Sequence, residues 1–347
     1  MAGYAADATD ANTNAPEPMT PTERAIVVRL SLMMLLEFMV FGAWFATLGL
    51  VLATAGLPQI IGPAYSLSAV AAIFSPLLLG AIGDRFINAE RVLALAHVVG
   101  AGAMFALPFA VKAHNPNLVL VLVLLHMLAF MPTLGLTNSI ALRTLGRQVM
   151  RFPYIRVFGP LGWVVAGLLV GALGLSATVH VFTVAGIAGV LLAAYALTLP
   201  ANYPLGRGRP LSFGDLIGRD ALVLFRKRSF SVLILCALLT SISLGIYNTF
   251  TSPFLGALGI ENVAGVLAIG QISEVLFIVT IPVVLRTIGM KWALLGGMTM
   301  WGVRFALFAL ASEDQTWAAL PDIKYRNTSS MMFGYTSVLA LLGERHQ

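Results

Sequence analysis

The sequence predicts an all-α, polytopic membrane protein with about nine transmembrane helices. Three observations carry this. Of 347 residues, 59% are hydrophobic and only 10% are charged, against about 25% charged in a soluble domain. Charge-free stretches of about 20 residues recur along the chain, the length that crosses hydrocarbon at about 1.5 Å per helical residue. These stretches are rich in Leu, Ala, Val and Gly and do not alternate apolar with polar, as the strands of a membrane barrel do. Backbone groups in lipid must satisfy one another within the segment, so helices remain.

The first 26 residues are polar, with no apolar run and no cationic start, and read as a disordered cytoplasmic leader rather than a signal peptide. Spans are expected at 27–52, 60–83, 92–111, 118–142, 155–174, 179–199, 231–256, 264–287 and 290–312. The second, fourth, sixth and eighth loops hold thirteen Lys and Arg residues, and the odd loops hold only Lys112. That bias places the even loops and the N-terminus in the cytoplasm. It also accounts for the net charge of +6 without nucleic acid as a partner.

Six spans, 27–199, precede the longest connection, a basic cytoplasmic loop at 200–230. Three more spans follow in 231–312. A six-helix lobe, a basic loop and a second bundle form the layout of two-lobed transporters. The tail, 313–347, is polar around Pro321 and then carries a short apolar run, Met331 to Gly343. That run is too short for a comfortable span.

Ionisable and amide groups inside spans are costly in lipid and mark candidate sites. In Gln271-Ile-Ser-Glu274 the amide and the carboxyl share one helix face. Such a pair can bind a hydroxylated ligand, and the carboxyl can take a proton. The structural alternative is a carboxyl bonded to a neighbouring helix. Arg156 follows Phe152-Pro-Tyr-Ile155, and Trp163 lies two turns further along, so the two can line a cavity with a cation and an aromatic surface. Arg156 can also simply snorkel to the interface.

Asn248 stands among Ser241, Ser243, Tyr247 and Thr249, shortly before Pro253, where a kink or break is expected. Interhelical bonding is the alternative role for that amide. Glu37 faces either a central cavity or a neighbouring helix. His97 and His126 sit singly in spans three and four and read as buried structural histidines. No second ligand stands at metal spacing, and no hydrolase, zincin or P-loop pattern is present. Cys236 lies in an apolar span and reads as packing. No metal or cofactor is expected, and an enzyme finds no supporting constellation.

One loop motif adds to this. After span two the chain reads Gly80-Ala-Ile-Gly83-Asp84-Arg85, which resembles the loop signature of the major facilitator superfamily, with Gly80, Asp84 and Arg85 in place. The later glycine position holds Ile87, and the usual basic pair is Asn88 and Ala89.

Longer strings narrow the resemblance. Gly42-Ala-Trp44 is followed by Thr47-Leu-Gly49, and Phe130-Met-Pro-Thr-Leu-Gly-Leu136 by Asn138. Phe152-Pro-Tyr-Ile-Arg156 continues to Gly159-Pro-Leu-Gly162, and Gln271-Ile-Ser-Glu274 to Ile278. Arg304-Phe-Ala-Leu-Phe-Ala309 closes the series. Together, over residues 27–312, these resemble the nucleoside:proton symporter family of the major facilitator superfamily.

The resemblance implies nucleosides and protons as the transported partners, moved by alternating access across the inner membrane by a monomer in the lipid bilayer. It implies that Arg156, Trp163, Asn248, Gln271 and Glu274 bind substrate, and that Glu274 and Glu37 are the candidates for proton coupling. The family's polar partner one turn before Asn248 falls on Gly245, and a family hydroxyl one turn after the arginine falls on Pro160. The family has twelve spans. A chain of nine predicts a C-terminally incomplete second lobe, and with it a chain that folds its first lobe and fails to transport. A non-transporting membrane protein that binds or senses nucleoside is the alternative reading.

Overall fold

The computed structural model describes residues 20–203 and 228–289, with 291–293, 295–299, 302, 303 and 306; side chains of 75–86, 229, 273–279, 281–283 and 285 are not among them. The ninth expected span and the tail therefore lie mostly outside the described residues, as do the leader up to residue 19 and most of the inter-lobe loop.

The described elements are helical. Helix α1 (Pro21–Gly42) starts ahead of the expected span. Its start is a capping box: Thr20 Oγ accepts from the Glu23 backbone N–H at 3.3 Å, and Glu23 accepts from the Thr20 N–H at 2.9 Å, with Pro21 opening the helix. The Thr20-Pro-Thr-Glu23 pattern carries that signal in the sequence, and it shortens the expected leader.

Span one is discontinuous. After α1 the chain turns through Ala43–Thr47 and re-enters a short helix, α2 (Leu48–Thr54). A kink or break is expected at Pro253 as well, but the helix there runs through that proline and ends at Ala257. At the break in span one, the Tyr65 hydroxyl donates to the Phe45 carbonyl at 2.8 Å and accepts from the Gly49 N–H at 3.3 Å. One buried phenol thus satisfies two backbone groups that the interrupted helix leaves open.

Helix α3 (Ile61–Phe86) carries Tyr65 and ends in the Gly80, Asp84, Arg85 segment. Asp84 and Arg85 fall in its last turn, and their side chains lie outside the described residues. Helices α4 (Ala89–Lys112) and α5 (Pro116–Leu145) follow, with Asn115 capping α5 through Leu118 N–H at 3.1 Å. Span five is split at Val157 into α6 (Phe152–Arg156) and α7 (Phe158–Ala172). Helix α8 (His180–Ala196) completes the first lobe, and α9 (Arg228–Ala257) and α10 (Val263–Thr287) belong to the second.

By length and apolar composition, four helical stretches among the described residues can cross a membrane: Pro21–Gly42, Ala89–Lys112, the run Pro116–Ala172 and Phe230–Ala257. Apolar side chains on them face outward, among them Leu95, Phe109, Val121, Leu168, Leu238 and Phe250. In water that would be an aggregation surface; in lipid it is the solvated face. The interior is held by small residues that let helices approach. A Cβ on Gly186 would lie 2.8 Å from the Phe105 ring, and one on Gly189 would lie 3.3 Å from Ala101. Trp44, Met104, Met127 and Phe182 fill the core beside the break.

Tyr65→Phe is expected to keep the packing and strip both backbone groups of their partner. Its thermal unfolding in detergent should fall by the equivalent of about 1–3 kcal/mol; an unchanged midpoint would show that the break needs no such support.

Candidate functional site

Helix α1 and helix α7 approach until side chains are excluded between them. A Cβ on Gly162 would overlap the Leu35 carbonyl, and one on Gly42 would lie 2.8 Å from the Trp163 Cα. This contact sets two of the expected site residues. The Arg156 guanidinium lies over the Phe38 ring at 4.6 Å. Gly159 makes the room: a Cβ there would lie 3.0 Å from the Phe38 ring and would collide with the guanidinium. Trp163 meets Phe41 edge-to-face, ring centroids 5.1 Å apart. Phe38 and Phe41 are three residues apart, so Arg156 and Trp163 stand along one face of α1.

The second lobe meets the first along α7 and α10. A Cβ on Gly167 would lie 2.7 Å from the Ala268 Cβ and 3.2 Å from the Ala264 carbonyl. One turn on, a Cβ on Gly171 would lie 2.8 Å from the Gly265 nitrogen. As α7 advances, its partner positions on α10 recede, so the two helices run antiparallel. The next turn of that register sets Trp163 opposite Gln271, which is 7% exposed. Glu274 occupies α10 one turn beyond; its side chain lies outside the described residues.

Asn248 sits on α9, half-buried, beside the contact of α9 with α2. There a Cβ on Gly49 would lie 2.8 Å from the Thr249 carbonyl and 3.1 Å from Pro253. A Cβ on Gly245 would meet nothing within 4 Å, so α9 leaves open space one turn before the amide.

These inter-lobe approaches share one end of the bundle. The buried Ser176 hydroxyl, just after α7, accepts from the Ala264 N–H at 3.1 Å, and Asn262 accepts from the Gly265 N–H at 2.9 Å. At the opposite end several ties run within the first lobe. Tyr195 donates to the Arg29 carbonyl at 3.0 Å, Arg29 bonds the Thr198 carbonyl, Gln148 bonds Glu23, and Glu90 accepts from the Asn202 N–H at 2.9 Å.

Glu37 takes the inward of its two expected directions. It is 0% exposed, and its carboxylate holds His97 Nε2 at 2.9 Å and Thr133 Oγ1 at 2.6 Å. His97 is therefore one half of a buried pair and does not stand alone as the sequence suggested. His126 bonds the Gly100 carbonyl through Nδ1 at 3.0 Å and stacks on Phe130, ring centroids 5.7 Å apart. Thr133 and Tyr65 are the interior residues that the sequence did not single out, and for His97, expected to be buried, it did not show the carboxylate partner.

Residues 24–322 match the model of the Nucleoside H+ symporter family. The chain belongs to that family. It is 35% identical over 295 residues to YegT of Escherichia coli (strain K12), covering 83% of this chain and 68% of that protein. It is 33% identical over 308 residues to the xanthosine permease of the same strain, covering 84% of this chain and 73% of the permease. A crystal structure of a single-residue variant of the nucleoside transporter NupG superposes with a TM-score of 0.81 at 27% identity, over 93% of this chain and 83% of that one. The protein is thus a multi-pass helical membrane protein of the major facilitator type, and its family is one of transporters rather than enzymes.

The two glycines at the extremes of local space give a matched test. Gly162→Ala should separate α1 from α7 and lower stability by about 1–3 kcal/mol, whereas Gly245→Ala, in open helical space, should be neutral or stabilising by up to about 1 kcal/mol. Paired melting curves in detergent measure both, and equal shifts would contradict the α1–α7 contact.

Proposed function

We propose that this chain carries nucleosides together with protons across the cytoplasmic membrane, by alternating access between its two lobes. The observation that carries the reading is the antiparallel α7–α10 seam. Its two helices carry Trp163 on one side and Gln271 and Glu274 on the other, in a chain of the nucleoside:proton symporter family.

The roles follow from the chemistry of each group. Trp163 offers a flat apolar face on which a base stacks. Gln271 and Asn248 each present a donor and an acceptor, the complement of a nucleobase edge or a ribose hydroxyl. Arg156 is a fixed cation that orients polar groups around it. Glu274 accepts from ribose hydroxyls or carries the coupled proton, and Glu37 is the second carboxyl available for that proton. The loop charges orient the N-terminus to the cytoplasm. In that orientation the end at which Ser176 meets Ala264 faces outward. The inner membrane as location and a monomer as the working unit belong to the same reading.

Alternating access requires the seam to open and the other end to close, so each lobe moves as a body about the site. The small residues at the seam allow it to form and part without interlocking side chains. A membrane protein that only binds nucleoside has no use for a separable seam.

In proteoliposomes, exchange of labelled for unlabelled uridine at equal pH should proceed, and an inside-alkaline gradient should drive accumulation. Glu274→Gln should abolish gradient-driven accumulation. Undiminished accumulation and proton flux in that variant would remove Glu274 from the mechanism, and retention of label without exchange would reduce the protein to a binder.

A further inference from the structure

We propose that Glu37, His97 and Thr133 form a proton-binding site inside the first lobe, set apart from the nucleoside-facing residues and loaded in step with nucleoside binding. It rests on the proton-coupled reading above and names where one coupled proton resides.

The geometry has a property that a purely structural carboxyl does not need. Both carboxylate oxygens of Glu37 are held, Oε2 by His97 Nε2 at 2.9 Å and Oε1 by Thr133 Oγ1 at 2.6 Å. The Thr133 hydroxyl also reaches the Phe130 carbonyl at 2.5 Å, yet it has one hydrogen to give. With Glu37 ionised, Thr133 donates to the carboxylate. With Glu37 protonated on Oε1, the carboxyl donates to Thr133, which turns its own hydrogen to the Phe130 carbonyl. The imidazole is equally adaptable: Nε2 donates to a carboxylate as N–H and accepts from a carboxylic acid in the other tautomer. The cluster therefore keeps its hydrogen bonds on gaining or losing a proton, and avoids the cost of an unmet polar group inside a membrane protein. The proton arrives from water on one side and leaves to water on the other, and no bond to the nucleoside is made or broken.

Few other charges compete for this role. Helix α7 contributes no titratable side chain, and α8 only His180 and Tyr195 at its two ends. Tyr195 is engaged by the Arg29 carbonyl. From α5 comes His126, whose Nδ1 is fixed on the Gly100 carbonyl. From α6 comes Arg156, which lies over Phe38.

A packed path joins the cluster to the substrate face. Trp163 meets Phe41 at 5.1 Å, Phe41 meets Phe130 at 5.0 Å, and Phe130 meets the His97 ring edge-to-face at 6.0 Å. A base stacking on Trp163 shifts Phe41, and with it the wall of the buried pair. Glu37 and Phe38 are adjacent on α1, so movement of that helix relative to α7 acts on the proton cluster and on the Arg156 shelf together. This is the physical link that symport needs, because a ligand shifts proton affinity only through a difference in contacts between two states.

The test has two arms, both on the full chain. In proteoliposomes, Glu37→Gln should retain labelled uridine exchange at equal pH within about 3-fold and lose at least about 10-fold of gradient-driven accumulation, a difference of about 1.4 kcal/mol or more in coupling. Thr133→Val should displace the pH midpoint of uptake, and Thr133→Ser should restore it. In detergent without nucleoside, infrared spectra across pH should show a carboxyl band that disappears in Glu37→Gln and shifts in His97→Gln. Gradient-driven accumulation preserved in Glu37→Gln, or a pH-dependent band unaffected by that change, overturns the proton site and leaves the transporter reading intact. Absence of exchange in the unaltered chain overturns the transporter reading, while the infrared arm still decides whether Glu37 titrates.

Discussion

Two helices from different lobes touch through glycine. Along α7, Gly167 presents bare backbone to the Ala268 methyl, and Gly171 to the Asn262 side chain and the Gly265 backbone at the start of α10. Dispersion over such a close approach, rather than hydrophobic transfer, holds helices together in lipid. The other inter-lobe contacts, Gly49 on Thr249 and Gly256 on Leu50, obey the same rule. The site geometry depends on this seam, because its antiparallel register is what sets Trp163 across from Gln271. Larger residues at Gly167 or Gly171 would interlock the lobes or hold them apart, and a transporter can tolerate neither.

The second constraint is that a polar group buried in the bundle is costly unless it finds a partner, and the exceptions to regular helix show how that cost is met. The break in span one survives because Tyr65 serves both of its loose ends. His126 is fixed by the Gly100 carbonyl, and Glu37 by a histidine and a threonine from two further helices. These bonds tie α1, α3, α4 and α5 into one body, which is what rigid-body motion of a lobe requires.

Much of this was written in the sequence, and the reasons are physical. The order of the described spans follows from charge-free length, which lipid imposes segment by segment. The start of α1 was legible in Thr20-Pro-Thr-Glu23, because a capping box is a local interaction. The break in span one was not. It contains no proline, and what stabilises it is a phenol sixteen or more residues away. Pro253 gave the stronger local signal, yet the helix absorbs it. The Glu37–His97 pair was equally hidden: its members are 60 residues apart, and only helix packing decides that they meet. Arg156 and Trp163 could be linked by spacing, but that both lie against α1 through Phe38 and Phe41 needed the fold.

The central claim is that the lobes meet at a glycine seam which must part during transport. Cysteines at Ser176→Cys and Ala264→Cys, with Cys236→Ser to remove the native thiol, stand where the Ser176 hydroxyl meets the Ala264 N–H at 3.1 Å across that seam. Mild oxidation of the reconstituted protein should cross-link the pair, arrest uridine exchange and release it again on reduction. A pair that fails to cross-link, or one that cross-links fully while exchange continues unchanged, would contradict the seam and the motion built on it.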